Sequence, residues 1–129
     1  MLSSTPSWIL VLDTSRPEAQ VMLLKDNQII GERHWENTRA LGRQLLAQID
    51  SLLREHQLVL SDLQRIAVVR GPGHYSAVRV GVVTATMLAY AQGVPLLALT
   101  SQDQTLLLQQ VVTAEPVDHV QPVYKPYRS

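Results

Sequence analysis

Short apolar runs alternate with longer amphipathic stretches along the chain, and each predicts one element of secondary structure. Runs of four to eight residues suit buried or half-buried strands. They are, in chain order, Trp8 to Leu12, Ala19 to Leu24, Gln28 to Trp35, Arg65 to Val69 and Leu96 to Leu99. Polar Lys25-Asp26-Asn27 predicts a hairpin turn between the second and third runs. We therefore expect the first three strands to be antiparallel.

Apolar residues recur at helical spacing in the intervening stretches. The predicted helices run from about Thr38 to His56, from about Ala77 to Gln92, and from a start at Ser101-Gln102-Asp103-Gln104 to about Val112. Ser76 is placed to cap the second helix, and Gly93 ends it. A capping-box pattern at Ser61-Asp62-Leu63-Gln64 predicts one short turn. The element order βββαβαβα predicts an α/β lobe with a five-stranded mixed sheet.

The stretch from Arg70 to Gly81 joins the fourth strand to the second helix through a glycine-rich turn. Gly71 and Gly73 permit positive φ and leave no Cβ in the way, while Pro72 stiffens the bend. A helix start behind such a turn can hold an anion with its backbone N–H groups. Tight strand-to-helix turns also use Gly and Pro for geometry alone. The sequence leaves both interpretations open.

Three motifs occur in a fixed order. The first strand ends in Asp13-Thr14-Ser15, the turn Gly71 to Gly81 follows, and Gly93 to Leu96 leads into Leu99-Thr100-Ser101. Over about residues 8 to 108 this order resembles the TsaB family, the non-catalytic partner proteins of the machinery that makes threonylcarbamoyladenosine on tRNA. The family's Gly-Pro-Gly-Ser-Phe-Thr-Gly-Leu-Arg-Ile-Gly signature is matched here at Arg79 and Gly81 and altered at His74, Tyr75, Ser76, Ala77, Val78 and Val80.

The resemblance implies a fold and a domain organisation. Members of this actin-like ATPase superfamily have two ribonuclease-H-like lobes, and residues 1–112 correspond to one of them. Residues 113–129 hold three of the seven prolines and predict an extended C-terminal tail. Pro122-Val123-Tyr124 is similar to the closing Pro-x-Tyr of family members.

The resemblance also implies a partner. Family members use their two long helices to bind the catalytic paralogue TsaD or a second copy, and we expect that role here, without catalytic residues. The residues expected to form the helical interface are Leu41, Leu45, Ile49, Gly81, Ala85 and Ala89. Gly81, Ala85 and Ala89 form a stripe of small side chains that suits close approach of another helix, or equally of the chain's own sheet. The turn residues Gly71, Pro72, Gly73, His74, Tyr75, Ser76 and Arg79 should lie near the partner's nucleotide-bearing side.

Asp13 is the main candidate for chemistry. A carboxylate at the end of the first strand can bind a metal ion in nucleases of this fold, or orient a metal-bound water in its ATPases, but either use needs further carboxylates. The fourth strand ends in Val69-Arg70 instead. Asp13 with Thr14 and Ser15 is also typical of an Asx turn. The four histidines, His34, His56, His74 and His119, are scattered, so neither a metal nor a cofactor is expected.

Composition narrows the class of protein. Eleven basic and eleven acidic side chains cancel, so autonomous nucleic-acid or membrane binding is not expected. Cysteine is absent, and neither a signal peptide nor a long apolar span is visible, which predicts a cytoplasmic protein. Two alternatives stay open: a homodimeric interaction or regulatory module without a role in tRNA modification, and a residual ATPase or nuclease.

Overall fold

A five-stranded mixed sheet with helices on both faces forms the body of the molecule. The computed structural model describes residues 6–37, 40–100 and 103–124. The elements are β1 (Trp8–Asp13), β2 (Glu18–Lys25), β3 (Gln28–Glu36), α1 (Leu41–Glu55), β4 (Arg65–Val69), α2 (Tyr75–Gln92), β5 (Leu96–Leu99) and α3 (Gln104–Thr113), with a 3-10 turn at Leu60–Asp62. The sheet order is β3-β2-β1-β4-β5, with β1 parallel to β4 and β4 parallel to β5. The predicted α/β class, mixed sheet and element order are confirmed.

Alternation along the strands divides the interior into two clusters. In β1, Leu10 and Leu12 face one cluster, while Ile9 and Val11 face the other. The helices α1 and α2 cover the first cluster, and α3 packs on the second through Leu107 and Val111. This period of two follows from the pleat of a strand whose two faces are both buried.

The hairpin between β2 and β3 has the predicted tight turn. Asp26 and Asn27 both have positive φ, 51° and 67°. Two consecutive left-handed residues are the mark of a type I′ turn, whose twist matches that of the flanking strands. Asp and Asn tolerate this conformation better than other residues with a Cβ.

Helix boundaries agree with the predictions at some ends and correct them at others. Gly93 ends α2 in the left-handed region, with φ of 65°, as predicted. Ser76 is not the cap of α2, because the helix begins at Tyr75 and His74 occupies the N-cap position without a side-chain cap bond. The N-cap of the short turn is Val59 and not the predicted Ser61. The N–H of Val59 donates to Asp62 Oδ2 at 2.8 Å. The predicted helix starts at Thr38 and Ser101 lie outside the described residues.

After α3 the chain returns across the lobe without a further helix or named strand in its described part. Val117 forms an antiparallel bridge with Leu96, and Tyr124 forms a parallel bridge with Gly73. Between them, Val120 is buried in the cluster beneath α1 and α2. We call the segment Val117–Tyr124 the strap. An extended tail was predicted here, and its described part is anchored to the lobe at both ends.

None of the helices in the described ranges is long and apolar enough to cross a membrane.

Candidate functional site

Two of the predicted motifs meet at one edge of the sheet. Since β1 and β4 are parallel neighbours, with Leu12 opposite Val68, their carboxyl ends lie side by side. A Cβ on Gly73 would lie 2.5 Å from the backbone oxygen of Ser15. The hydroxyl of Thr14 donates to the carbonyl oxygen of Ala77 at 2.6 Å. The turn Asp13-Thr14-Ser15 is thus packed directly against the glycine-rich turn and the first turn of α2.

Asp13 is buried and forms an Asx turn. Its Oδ1 accepts hydrogen bonds from the backbone N–H of Ser15 at 2.9 Å and from the Ser15 hydroxyl at 2.6 Å. Within the described residues Oδ2 has no hydrogen-bond partner, and Arg16 Nε lies 4.0 Å from it. The carboxylate therefore fixes the turn after β1, the structural role that the sequence left open beside metal binding.

Asn37 is a residue of this site that the sequence analysis missed. Its amide nitrogen donates to the carbonyl oxygen of Arg16 at 2.6 Å, and its backbone N–H donates to the carbonyl oxygen of Pro17 at 2.9 Å. These two bonds tie the end of β3 to the loop that follows β1. The residue pattern around Asn37 gives no signal for such a contact, because it joins positions about twenty residues apart.

The glycine-rich turn presents its side chains outward and keeps its glycines inside. Gly71 and Gly73 are buried, whereas Pro72, His74, Tyr75, Ser76 and Arg79 are exposed. Arg79 Nη1 donates to the hydroxyl of Tyr75 at 3.2 Å, one helical turn earlier. Arg79 thus has a contact within the start of α2. Arg70, the predicted cation at the end of β4, donates from Nε to the carbonyl oxygen of Gln121 at 2.7 Å.

The six residues assigned to the helical interface require correction. All of them are buried in the chain's own interior or pack directly on it: Leu41, Leu45, Ile49, Gly81, Ala85 and Ala89. A Cβ on Gly81 would collide with Thr14 Oγ1, so this glycine makes room for the turn after β1. Small residues at a spacing of four let α2 approach its own sheet closely. In this fold they are not available to a partner helix.

The outward face of α2 carries apolar side chains that the sequence analysis did not single out. Val83, Met87 and Tyr90 are exposed, Met87 by 64% and Tyr90 by 90%. They recur at i, i+4 and i+7, which places them on one face of the helix, and we call them the α2 ridge. Arg79 is the one charged residue among the 18 of α2. The signal that could have found the ridge is therefore this shortage of charge.

Two of the grooves beside α2 are apolar: the first borders the α2 ridge, and the second includes α2 only through Leu88. One, of about 670 Å³, lies at the carboxyl end of α2 and is lined by Met87, Tyr90 and Val94 together with the strap residue Val117. Another, of about 470 Å³, lies between α1 and the 3-10 turn and includes Leu46 and Leu88. Leu46 on α1 is itself exposed. The apolar surface thus extends from α2 to its neighbour α1.

Comparison with known proteins identifies the family of this chain. A family model described as "TsaD: tRNA N6-adenosine threonylcarbamoyltransferase" matches residues 32–122. The chain belongs to this family. Among curated relatives, the tRNA threonylcarbamoyladenosine biosynthesis protein TsaB of Bacillus subtilis is 32% identical over 93 residues, which are 72% of this chain and 41% of that protein. The protein of the same name from Haemophilus influenzae is 32% identical over 96 residues, 72% of this chain and 39% of that protein.

Solved structures agree with these relatives. YeaZ from Pseudomonas aeruginosa matches with a TM-score of 0.67 and 33% identity, covering 73% of this chain and 44% of that one. RuvC of Thermus thermophilus matches with a TM-score of 0.53 at 10% identity, which shows the fold alone. The predicted TsaB-like resemblance and ribonuclease-H-like fold are confirmed. The chain spans less than half the length of the TsaB relatives that it matches.

Apart from the buried Asp13, the titratable side chains in the described part of this TsaD-family lobe are exposed or half-buried. Among residues 6–37, 40–100 and 103–124, no group of three or more His, Asp or Glu side chains is placed to hold a metal ion. One cluster lies on β2 and β3, where His34 Nε2 is 2.7 Å from Glu32 Oε1 and His34 Nδ1 is 3.1 Å from Glu18 Oε1. Gln104 of α3 also donates to Glu32 Oε1, at 3.2 Å.

We expect the His34 cluster to make folding stability depend on pH. The hydrogen bond to Glu32 is the main cause that raises the pKa of His34 above its ordinary value of 6.5, with Glu18 adding to it. A raised pKa means that the contribution is fully present below the ordinary pKa and is lost as pH rises through the folded-state pKa. His34→Gln should therefore lower the urea midpoint at about pH 5.5 and leave it nearly unchanged at about pH 8.5. Equal losses at both pH values would show that the ring contributes by packing and not by charge.

Proposed function

We propose that this chain is a non-catalytic partner protein that supports threonylcarbamoyladenosine modification of tRNA. It would bind a TsaD-type catalytic subunit, or a second copy of itself, through the outward faces of α1 and α2. The observation that carries the proposal is the α2 ridge, Val83, Met87 and Tyr90, on a helix with a single charge. The family match and the TsaB relatives support the biological setting.

The composition of α2 favours a covered face. A helix on the surface of a lone domain normally carries polar residues opposite its buried stripe, whereas a helix that is apolar all round is usually buried. Here the inner stripe packs on the sheet, and the outer ridge is apolar as well. Burial of an exposed side chain the size of Met or Tyr contributes about 1.5–3 kcal/mol. Tyr90 therefore has the largest potential gain on the ridge.

The α1 side of this surface has the character of an interface rim. Leu46 is exposed next to charged residues, and Arg54 Nε pairs with Asp50 Oδ2 at 2.9 Å one helical turn away. Protein interfaces commonly combine an apolar centre with a polar border of this kind. Leu46 of α1 and Leu88 of α2 line one groove, so a partner helix lying across the outward faces of both helices would contact them together. Specific interfaces bury roughly 800 Å² on each partner, which two exposed helix faces can supply.

The site at the carboxyl edge of the sheet supports a role without catalysis. Asp13 is committed to the Asx turn through Ser15, and the neighbouring strand end carries the cation Arg70, which would repel a metal ion. His74 and Ser76 are exposed, whereas the Asp13 carboxylate is buried. We therefore expect the reacting groups to belong to the partner.

Light scattering coupled to size exclusion tests the proposal directly. The chain would be run alone, the TsaD-type protein from the same source alone, and the two as a mixture. We expect a stoichiometric complex, and we expect it to increase the rate at which the TsaD-type protein modifies tRNA. A stable homodimer that ignores the TsaD-type protein would contradict the modification role. Magnesium-dependent turnover by the isolated chain that Asp13→Asn abolishes would contradict its non-catalytic status.

A further inference from the structure

The strap is bound to the glycine-rich turn by two backbone hydrogen bonds. The N–H of Val123 donates to the carbonyl oxygen of Arg70 at 2.6 Å, and the N–H of Gly73 donates to the carbonyl oxygen of Val123 at 3.3 Å. Both bonds join backbone to backbone, so the turn and the strap form a short ladder. The exposed edge of the turn is thereby paired within the chain.

The contact between the strap and the turn requires glycine at position 71. Its φ is +114°, and a Cβ at this position would collide with the carbonyl oxygen of Val123. Positive φ and close backbone approach both call for glycine. The missing side chain of Gly71 therefore makes space for the chain's own strap.

Side chains on both sides strengthen the docking. The rings of Tyr75 and Tyr124 are 4.5 Å apart between centroids and tilted by 41°, within the range of favourable aromatic pairs. Val120 is buried beneath α2, and Arg70 Nε reaches the carbonyl oxygen of Gln121. The strap is thus held by backbone bonds, an aromatic pair and one buried apolar anchor.

We propose that the strap is a latch, in which the chain's own segment Val117–Tyr124 closes the glycine-rich turn. While it is docked, the Gly73 N–H and the space above Gly71 are taken by Val123. The turn is then closed to outside ligands, and the latch holds the turn in the conformation that packs against Ser15. The contacts that define the latch lie at the start of α2, at Arg70, Gly73 and Tyr75, and involve no residue of the α2 ridge. Only Val117, at the other end of the strap, lines the groove beside the ridge.

Hydrogen exchange on the full chain tests the latch. We expect the amides of Gly73 and Val123 to be protected together in the native chain. Gly71→Ala, which places a Cβ against Val123, should accelerate exchange at both amides. Gly93→Ala is the matched control, since Gly93 also has positive φ but no atom lies within 4 Å of its would-be Cβ. That control should leave both amides protected.

Tyr124→Ala is a second variant that tests the latch if Gly71→Ala fails to fold. It removes the ring contact with Tyr75 without straining the turn, and protection of the β1 amides reports that the lobe remains folded. We expect exchange at Gly73 and Val123 to rise together in this variant. The latch is refuted if Val123 exchanges at the unfolded-chain rate in the native protein, or if Gly73 stays protected after the strap is released.

Added inorganic phosphate tests whether the turn is closed. In the native chain, we expect millimolar phosphate to leave the NMR amide signal of Gly73 unmoved. A phosphate-dependent shift of Gly73 while the Val123 signal stays in place would show an open turn beneath a docked strap, and would overturn the inference. Binding to a TsaD-type protein is measured separately, so neither outcome affects that proposal.

Discussion

Ala85→Arg should abolish the cooperative folding of this chain. Ala85 has no exposed surface and lies where α2 packs on the sheet. Overpacking of a core alone costs about 1–3 kcal/mol. An unpaired buried charge adds several kcal/mol. Because domains of this size are stable by only about 5–15 kcal/mol, the sum removes most or all of the stability.

Met87→Arg is the matched variant for this test. It places the same side chain two residues further along α2, at a position that is 64% exposed. We expect its free energy of unfolding to lie within about 0.5 kcal/mol of the parent's value, as is usual for surface substitutions. Thermal unfolding followed by circular dichroism measures both variants. Normal folding of the Ala85→Arg chain would contradict the burial of the small-residue stripe.

Gly73→Ala should also be strongly destabilising, by about 1–3 kcal/mol, because its Cβ meets backbone that cannot rotate away. The new Cβ would lie 2.5 Å from the Ser15 oxygen and 2.8 Å from the Ser15 Cα. Relief requires the turn after β1 or the glycine-rich turn to shift. Either shift strains the hydrogen bond between Thr14 and Ala77.

Gly42→Ala provides the comparison. Gly42 lies in the first turn of α1 with no atom within 4 Å of its would-be Cβ. There the substitution should be neutral or stabilising, by up to about 1 kcal/mol, from helix propensity. Urea unfolding of both variants measures the difference. Similar stability of the two alanine variants would refute the close packing of the two turns.

Strands and helix ends could be predicted from the sequence because the signals for them are local. Apolar runs such as Arg65 to Val69 match their strands to the residue, and Gly93 ends α2 as its position indicates. The start of α2 could not be fixed in this way, since Ser76 and His74 both lie within reach of a helix start. In the structure His74 takes the N-cap position, and its side chain makes no cap bond that the sequence pattern could have indicated.

The candidate site was predictable only in part. Asp13 and the glycine-rich turn were recognised from their motifs, but the direction in which α2 faces was not. A stripe of Gly81, Ala85 and Ala89 suits a partner helix and the chain's own sheet equally well, and spacing does not distinguish them. The docking of the strap on the lobe escaped prediction because its contacts, such as Val123 with Arg70, join residues more than fifty positions apart.

Affinity for the TsaD-type protein, measured with two charge substitutions, tests the central claim most directly. Met87→Glu places a charge on the α2 ridge, whereas Val112→Glu places the same charge on α3, at a position 57% exposed on the other face of the sheet. If the ridge is the interface, Met87→Glu should weaken binding at least about tenfold, equivalent to about 1.4 kcal/mol, because it buries an unpaired carboxylate. Val112→Glu should bind like the parent. Equal affinity of both variants and the parent would contradict the assignment of the α2 ridge as the partner surface.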